Sequence, residues 1–328
     1  MNNLLPFEKN KRETLVKKES KTSDKFGCNP EERSVKELIN YGVVNIDKPR
    51  GPTSHQTSAY VQKILGIKKS GHSGTLDPIV TGVLLVAVGR ATRIVQSLLK
   101  AGKEYVGIMH LHKEISKEEV ERVIKKHFIG KIQQKPPIKS AVKRQLRERE
   151  IYYFDIIEVI DQDVLFRTGV EAGTYIRKLC HDIGRKLNMG AHMAELRRTK
   201  AGPFGEKGLV TLHDLTDAYW YYKNEGNEKF IRHCIKPIET AVRHLPKLWV
   251  LDTTVHSLTH GSNLKMPGIS KLESGIKRED IVAVMTLKDE LVAVGTANMT
   301  SSQMMNELKG VGVKINKVFM QEGIYPKI

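Results

Sequence analysis

The sequence Gly-His-Ser-Gly-Thr-Leu-Asp-Pro at residues 71–78 brings together several side chains that could do chemistry. Its two glycines and the Asp-Pro pair predict a sharply turned loop, and the apolar run Val83–Val88 predicts a buried strand after it. Asp77 could be an ordinary turn residue. However, loops on a rigid scaffold often carry catalytic groups, and a carboxylate can act as nucleophile or base. Asp77 is therefore a candidate catalytic residue.

A second group of polar residues lies at 173–177, with the sequence Gly-Thr-Tyr-Ile-Arg. Thr174 is a suitable N-cap, and the apolar spacing after it predicts a helix with Arg177 in its first turn. The positive end of a helix dipole is an unfavourable place for a cation. A carboxylate or phosphate beside Arg177 would remove this conflict. The alternative is an exposed surface arginine, and the neighbouring Lys178 shows that such a placement is tolerated.

Basic residues are concentrated in two further stretches. One follows the Pro-Pro pair at 136–137, and the other follows Leu196. Each stretch could be an ordinary solvated face, but together with the charge of the chain they predict a surface that contacts phosphates. The residues are Lys139, Lys143, Arg144, Arg147 and Arg149 in the first stretch, and Arg197, Arg198 and Lys200 in the second.

The overall charge also favours a polyanionic partner. The 328-residue chain has 54 Lys and Arg residues against 37 Asp and Glu residues, a formal charge of +17. Residues 246–328 contain ten basic and eight acidic residues, so +15 of this charge belongs to residues 1–245. Nucleic acid is the natural partner of such a chain, and charge that serves only solubility is the alternative.

Composition excludes other classes of protein. The longest apolar run, Val83–Val88, has six residues, whereas a membrane-spanning helix needs about 20. The N-terminus is polar and lysine-rich, without the apolar core of a secretion signal, so we expect a cytoplasmic protein. Cys28, Cys180 and Cys234 lie far apart, so we predict neither a disulfide framework nor a protein-only zinc site.

The sequence pattern divides the chain into three parts, which contain the elements that must position these residues. Residues 1–34 contain few apolar residues, which predicts a flexible basic and polar arm. Predicted strands and amphipathic helices follow in residues 35–245, and possible capping boxes begin helices at Thr53 and Ser116. Residues 246–328 change to short strands, which predicts a small β-barrel. Within it, Lys288-Asp289-Glu290 between Ile281–Leu287 and Leu291–Gly295 predicts a hairpin.

Six short motifs follow one another between residues 41 and 215. They are Lys48-Pro-x-Gly-x-Thr-Ser54, Gly71-His-x-Gly-Thr-Leu-Asp77-Pro, Lys103-x-Tyr105, Pro136-Pro-x-x-Ser140-Ala, Gly173-Thr-Tyr-Ile-Arg177 and Leu196-Arg-Arg-Thr199. In this order they resemble the TruB-type RNA pseudouridine synthases, and the resemblance spans roughly residues 41–215.

The C-terminal part resembles a PUA domain through His260-Gly261, Pro267-Gly268-Ile269 and Tyr325-Pro326. Only residues 142–150 separate the Pro-Pro-x-x-Ser-Ala motif from the next predicted strand. The stand-alone bacterial enzymes typically carry an extra RNA-gripping segment at this place. The chain therefore resembles most the archaeal dyskerin-like enzymes of H/ACA guide RNA particles.

The resemblance implies a fold and a site. The fold is an α+β pseudouridine synthase domain, with a mixed, largely antiparallel sheet flanked by helices, followed by the PUA barrel. Asp77 is implied as the essential carboxylate, which attacks the sugar, attacks the base or takes a ribose proton. Arg177 would orient it, and Tyr105, on residues alone an ordinary core tyrosine, would stack on the flipped base. The other implied contacts are Tyr175, Leu196, His72 and Lys48 at the pocket, and His260 and Gly261 in the PUA domain.

The resemblance also implies the reaction and the partners. The enzyme would isomerise uridines of rRNA, and in some cases tRNA, to pseudouridine, and no cofactor or metal is expected because no electrons are exchanged. The implied partners are H/ACA guide RNA, a small zinc-ribbon protein, a small barrel protein of the Gly/Arg-rich type and a kink-turn-binding protein. Two alternatives stay open, a stand-alone tRNA pseudouridine synthase and a non-catalytic RNA-binding scaffold. A scaffold has no need of Asp77, Tyr105 and Arg177 together.

Overall fold

The computed structural model describes residues 3–136 and 145–327. Its strands are β1 Thr14–Val16, β2 Gly42–Lys48, β3 Ser70–His72, β4 Thr81–Val88, β5 Lys103–Leu111, β6 Gly130–Gln134, β7 Arg147–Ile160, β8 Asp163–Val170, β9 Ala191–Ala201, β10 Phe204–Gly205, β11 Ile235–Pro237, β12 Lys247–Val250, β13 Leu264–Lys265, β14 Ile269–Glu273, β15 Ile281–Thr286, β16 Leu291–Ala297 and β17 Val311–Val318. Its α-helices are α1 Val35–Tyr41, α2 Ser54–Ile64, α3 Val95–Leu99, α4 Lys117–His127, α5 Ile176–Lys186, α6 Leu212–Glu225, α7 Glu228–Cys234, α8 Asp252–Thr259 and α9 Ser301–Asn306.

The chain forms two compact units, each assembled from separate stretches of sequence. The first unit contains Met1–Lys9, Val44–Ala87 and Val95–Cys234, and the second contains Asn10–Val43, Val88–Ile94 and Ile235–Ile328. The second unit therefore includes more than the C-terminal barrel expected from the sequence.

A mixed sheet forms the framework of the first unit. Its strands follow the order β2-β4-β9-β5-β8-β7-β6, with β3 beside β4 and β10 beside β9. Strands β4 and β9 are parallel, whereas the pairs β9-β5, β5-β8, β8-β7 and β7-β6 are antiparallel. This confirms the expected mixed, largely antiparallel sheet of an α+β fold.

One face of this sheet is buried against helices α4 and α5. The apolar stripe of α5, Ile176, Leu179, Cys180 and Ile183, joins the buried face of β5 and β8 in one cluster. Helix α4 adds Val120 to the same cluster. Burying each large apolar side chain stabilises the folded state by about 1.5–3 kcal/mol, which holds α5 on the sheet. The helix end that carries Arg177 is thereby fixed in position.

Helix starts follow the sequence signals in two of three cases. Thr53 caps α2 through the predicted capping box, and the Ser116 side chain accepts a hydrogen bond from the Glu119 N–H at the start of α4. The prediction that Thr174 caps α5 is wrong. Its hydroxyl donates to the Glu171 carbonyl over 2.7 Å, and Tyr175, without a side-chain cap bond, is the N-cap.

A second sheet forms the core of the second unit, with the order β1-β14-β12-β15-β16-β17-β13. Strands β15 and β16 form the predicted hairpin, in which Ala283 pairs with Val294. Strand β12 runs parallel to β15 and antiparallel to β14.

Residues 10–34 differ from the flexible arm expected from the sequence. Thr14–Val16 pairs antiparallel with β14, and the Lys17 ammonium donates to the Glu307 carbonyl over 2.6 Å at the end of α9. Arg33 makes a bidentate ion pair with Glu239, each bond 2.8 Å long. These contacts are mostly polar or made by the backbone, so the low apolar content of the segment did not reveal them.

Within residues 3–136 and 145–327, none of the helices combines the length and the apolar character that a bilayer crossing needs.

Candidate active site

Asp77 lies in the loop between β3 and β4, and this loop is held on both sides of the carboxylate. The N–H of Leu76 donates to Ser54 Oγ over 2.8 Å. On the other side, the Lys48 ammonium donates to the carbonyls of Pro78 and Val80 over 3.1 and 2.9 Å. Hydrogen bonds to the loop backbone therefore fix the position of Asp77.

Lys48 is a buried cation that serves this loop. The residue is fully buried at the end of β2, and its third hydrogen bond goes to the Pro49 carbonyl over 2.9 Å. Burial and the nearby Arg198 lower the pKa of Lys48, whereas Asp77 opposes this shift. Lys48 lies near the implied pocket, but its contacts position the loop.

Arg177 and Asp77 form an ion pair. The Arg177 Nη2 group donates to Asp77 Oδ2, across 100 residues of sequence. About half of each side chain remains exposed, so the pair is accessible from solvent. The anionic partner expected from the position of Arg177 in the first turn of α5 is thus a carboxylate.

The start of α5 is fixed by Gln134 at the end of β6. The Tyr175 N–H donates to Gln134 Oε1 over 3.0 Å, and Gln134 Nε2 donates to the Tyr175 carbonyl over 3.2 Å. Gln134 is buried. These two bonds replace a side-chain cap and position Tyr175 next to the helix turn that holds Arg177.

Tyr105 and Leu196 belong to the apolar core of the first unit. Both are nine-tenths buried, and they share one apolar cluster with Leu76 and Ile176. Leu76 precedes Asp77, and Ile176 precedes Arg177. The implied apolar wall and the implied stacking residue therefore belong to the cluster that contains the residue before each partner of the ion pair.

His72 lies in β3, five residues before Asp77, and is partly buried. Burial lowers the pKa of His72, and the charges of Arg198 and His55 lower it further. The imidazole is thus kept neutral to a lower pH than an ordinary histidine.

The two arginines of the Leu-Arg-Arg-Thr motif have different environments. Arg197 is partly exposed and is ion-paired with Asp47 at 3.0 Å and with Glu206 at 2.6 Å. Arg198 is 1% exposed, so the prediction that it contacts RNA is wrong. Successive residues of a strand point to opposite faces of the sheet. Because one face of this sheet is buried, two adjacent arginines of β9 cannot both be exposed.

The other predicted RNA-binding residues are dispersed. Lys139, Lys143 and Arg144 lie outside the described residues, and Arg147 begins β7. His260 and Gly261 lie at the end of α8 in the second unit, where the His260 ring stacks on that of His256. Gly261 has a φ of +84° and open space around its Cα.

Sequence reasoning missed the roles of Ser54, Gln134 and Arg198 in this site. Ser54 and Arg198 lie within two of the six motifs, and Gln134 lies two residues before a third. The motifs thus identified the segments that form the site, but only the structure shows which of their side chains hold the Asp77 loop and the start of α5. Among the described residues, no group of three or more His, Cys, Asp or Glu side chains could hold a metal ion.

Comparison with known proteins assigns the chain to a family. The model of the TruB family pseudouridylate synthase N-terminal domain matches residues 62–176, and that of the tRNA pseudouridylate synthase B C-terminal domain matches residues 177–243. The DKCLD domain model matches residues 2–58, and the PUA domain model matches residues 246–319.

Similarity to curated proteins extends over nearly the whole chain. The probable tRNA pseudouridine synthase B of Pyrococcus furiosus is 54% identical over 97% of this chain and 94% of its own length. That of Methanopyrus kandleri is 53% identical over 98% and 95%. This chain belongs to the TruB family. It is a pseudouridine synthase of the archaeal dyskerin-like branch, with a PUA domain.

Solved structures show the same relationship. A chain of a Cbf5-Nop10-Gar1 complex matches this TruB-family enzyme with a TM-score of 0.94 and 54% identity, over 99% of both chains. A chain of an H/ACA RNP bound to a substrate RNA containing 2'-deoxyuridine matches with a TM-score of 0.92 and 52% identity, also over 99% of both chains.

Proposed function

We propose that this pseudouridine synthase isomerises selected uridines of rRNA as the catalytic subunit of an H/ACA guide ribonucleoprotein, with Asp77 as its catalytic carboxylate. The observation that carries the proposal is the exposed Asp77–Arg177 ion pair on a loop held by Lys48 and Ser54. A positioned carboxylate beside a fixed guanidinium is the arrangement that nucleophilic or general base chemistry needs.

The reaction requires the C1′–N1 bond of uridine to break, the base to rotate, and a C1′–C5 bond to form. The proton on C5 is lost and N1 gains one, so the product is an isomer. Asp77 would attack the sugar, attack the base or take a ribose proton, and Arg177 would orient it in each case. The Tyr105 hydroxyl would serve proton transfer.

The uridine must first leave its stack, at a cost of a few kcal/mol. The Tyr105 ring would stack on the flipped base, Leu196 would supply the apolar wall and Tyr175 would line the pocket. His72 would lie near the phosphate or the space left by the flipped nucleotide. The burial of Tyr105 and Leu196 in one cluster supports their assignment to one pocket wall.

The RNA would be held by two surfaces. In the first unit we propose the basic stretch Lys139, Lys143, Arg144 and Arg147, together with Arg197, although Arg197 is already paired with carboxylates. In the second unit we propose the PUA barrel with His260 and Gly261. In this division residues 35–245 carry the catalysis and residues 246–328 bind RNA.

The proposed partners follow from the similar structures. A chain 54% identical to this one was solved with Nop10 and Gar1, and another was solved in an H/ACA RNP with substrate RNA. We propose H/ACA guide RNA, a small zinc-ribbon protein and a Gly/Arg-rich-type barrel protein as partners, with the rRNA substrate in the cytoplasm. A kink-turn-binding protein stays a prediction from the resemblance.

A second candidate function is guide-independent modification of tRNA. It is favoured by the names of the curated relatives, which are probable tRNA pseudouridine synthases B. The two functions need the same site and differ only in how the substrate is captured.

One assay separates them. Purified protein is incubated with a target RNA or with tRNA, with and without guide RNA and partner proteins, and pseudouridine is counted. Conversion only in the complete particle supports the guide-dependent function, and conversion of tRNA by the protein alone supports the second candidate. RNA binding without conversion under every condition would contradict both and favour a scaffold.

A further inference from the structure

Arg198 contacts both strand β4 and the loop that carries Asp77. Its Nε donates to the Val83 carbonyl over 2.7 Å, and its Nη2 donates to the Gly74 carbonyl over 3.4 Å. Gly74 lies three residues before Asp77 in the same loop. One guanidinium therefore joins strand β4 to the loop that carries the catalytic carboxylate.

The Arg198 side chain also interacts with the Tyr105 hydroxyl, which raises the pKa of Arg198 against the larger effect of burial. The backbones of Tyr105 and Arg198 are direct partners in the antiparallel pairing of β5 with β9. Residues opposite each other in such a pair present their side chains on the same face. Both are nine-tenths or more buried, so the contact lies inside the protein, away from competing water.

The direction of any hydrogen bond between these two groups is fixed by chemistry. A guanidinium has five N–H donors and no acceptor, so the Tyr105 oxygen must accept. The tyrosine O–H is then left to point elsewhere, and the adjacent positive charge stabilises negative charge that develops on the oxygen during proton transfer.

We propose that Arg198 is a positioning residue for pseudouridine formation. It orients the Tyr105 hydroxyl and fixes the position of this hydroxyl relative to the Asp77 loop. This inference rests on the proposed function and adds a residue that does not touch the substrate. Lysine would keep the charge but lose the planar fork that reaches several acceptors at once.

The test is a double-mutant cycle on the full chain assembled with guide RNA and partner proteins. Single-turnover rates are measured for wild type, Arg198→Lys, Tyr105→Phe and the double variant. If Arg198 acts through the hydroxyl, Arg198→Lys lowers the rate about tenfold or more when Tyr105 is present. The same substitution in the Tyr105→Phe background changes the rate by less than about twofold. RNA affinity stays within about twofold of wild type, because Arg198 is buried.

Arg167→Lys is the matched control. Arg167 also lies on the sheet, where it is bonded to Asp155 at 2.8 Å and sits over the ring of Tyr153, and neither contact involves the ion pair. Its replacement is expected to leave the rate unchanged. Arg198→Gln is run through the same cycle, so that the inference stays testable if the lysine variant does not fold.

Equal losses from Arg198→Lys in both backgrounds would overturn the inference, because they would show a purely structural role. An unchanged rate in both would overturn it as well. Failure of wild type to form pseudouridine under every condition would instead contradict the proposed function.

Discussion

Ser54 and Leu76 exchange two hydrogen bonds, one in each direction. The Leu76 N–H donates to Ser54 Oγ over 2.8 Å, and the Ser54 hydroxyl donates to the Leu76 carbonyl over 3.2 Å. Because Leu76 is the residue before Asp77, the start of α2 determines where the Asp77 loop lies. The first of the six motifs thus sets the geometry of the second.

Loss of the Lys48 ammonium should destabilise the loop and the protein. Lys48→Met keeps the apolar stem but leaves the carbonyls of Pro49, Pro78 and Val80 without this donor. The Val80 carbonyl is buried, and leaving a buried group without a partner costs about 1–3 kcal/mol. We expect a lower free energy of unfolding in urea and a reduced rate of pseudouridine formation. Lys68→Met, at an exposed lysine, is the control, and equal stability of Lys48→Met and wild type would contradict the prediction.

Removal of the Asp77 charge should abolish the reaction. Asp77→Asn keeps the size and the turn propensity of the residue, so the loop is expected to persist. Pseudouridine formation should vanish, while RNA affinity stays within a few-fold, because the positions of Lys48 and Ser54 do not depend on the carboxylate. Single-turnover assays and RNA binding measure the two effects. Substantial turnover by a clean preparation would show that another group does the chemistry.

Arg177 should be needed for rate rather than for folding. Arg177→Lys keeps the charge but loses the planar guanidinium whose Nη2 donates to Asp77. We expect a large fall in rate with little change in the urea midpoint, since the side chain is half exposed. Arg185→Lys, an exposed arginine in the last turn of the same helix, is the control. A rate and a pH profile like those of wild type would mean that Arg177 is only a surface cation.

His72 should make the protein less stable in acid. Burial lowers its folded-state pKa below the ordinary value of 6.5, so the unfolded chain binds more protons just below pH 6.5. The free energy of unfolding therefore falls as the pH falls through this range. His72→Gln removes the contribution, so its stability should vary less with pH there. An NMR titration of His72 checks the direction, and a pKa above 6.5 would contradict it.

The two RNA-binding surfaces should respond differently to salt. Changing Lys139, Lys143 and Arg144 to Gln should reduce the slope of log affinity against log salt, by about 0.7–0.9 for each phosphate that the protein no longer neutralises.

His260→Ala should weaken guide RNA binding with little change in slope. Residues 246–328 carry a net charge of only +2, and PUA recognition would rest on shape and a few hydrogen bonds. Binding across a salt series measures both, and the opposite pattern would reverse the proposed division. Point substitutions are needed because deletion of residues 246–328 would also remove β14, the partner of Thr14–Val16.

Sequence patterns predicted the framework well where local signals decide the structure. The capping box at Thr53, the apolar stripe of α5 and the β15-β16 hairpin all follow from short-range chemistry. The pairing of Arg177 with an anion was also foreseeable, because a cation in a first helical turn needs one. The identity of that anion did not follow from local patterns, since it comes from a loop 100 residues away, and only the family resemblance pointed to Asp77.

The errors have physical causes as well. The start of α5 is set by Gln134 rather than by Thr174, because a distant side chain supplies the bonds that a local cap would have made. Arg198 was interpreted as an RNA-binding residue because charge normally means exposure. Its burial depends on carbonyls and a hydroxyl that only the folded sheet brings within reach.

The pairing of Thr14–Val16 with Ile269–Glu273 has a consequence for synthesis on the ribosome. Strand β1 leaves the ribosome early, but its partner is made roughly 250 residues later, which takes about 12–50 s at 5–20 residues per second. During this time the first unit can begin to fold, whereas the second unit must wait with its first strand unpaired. Translation speed between residues 16 and 269 therefore sets how long an open sheet edge, the kind that promotes aggregation, is exposed in the cell.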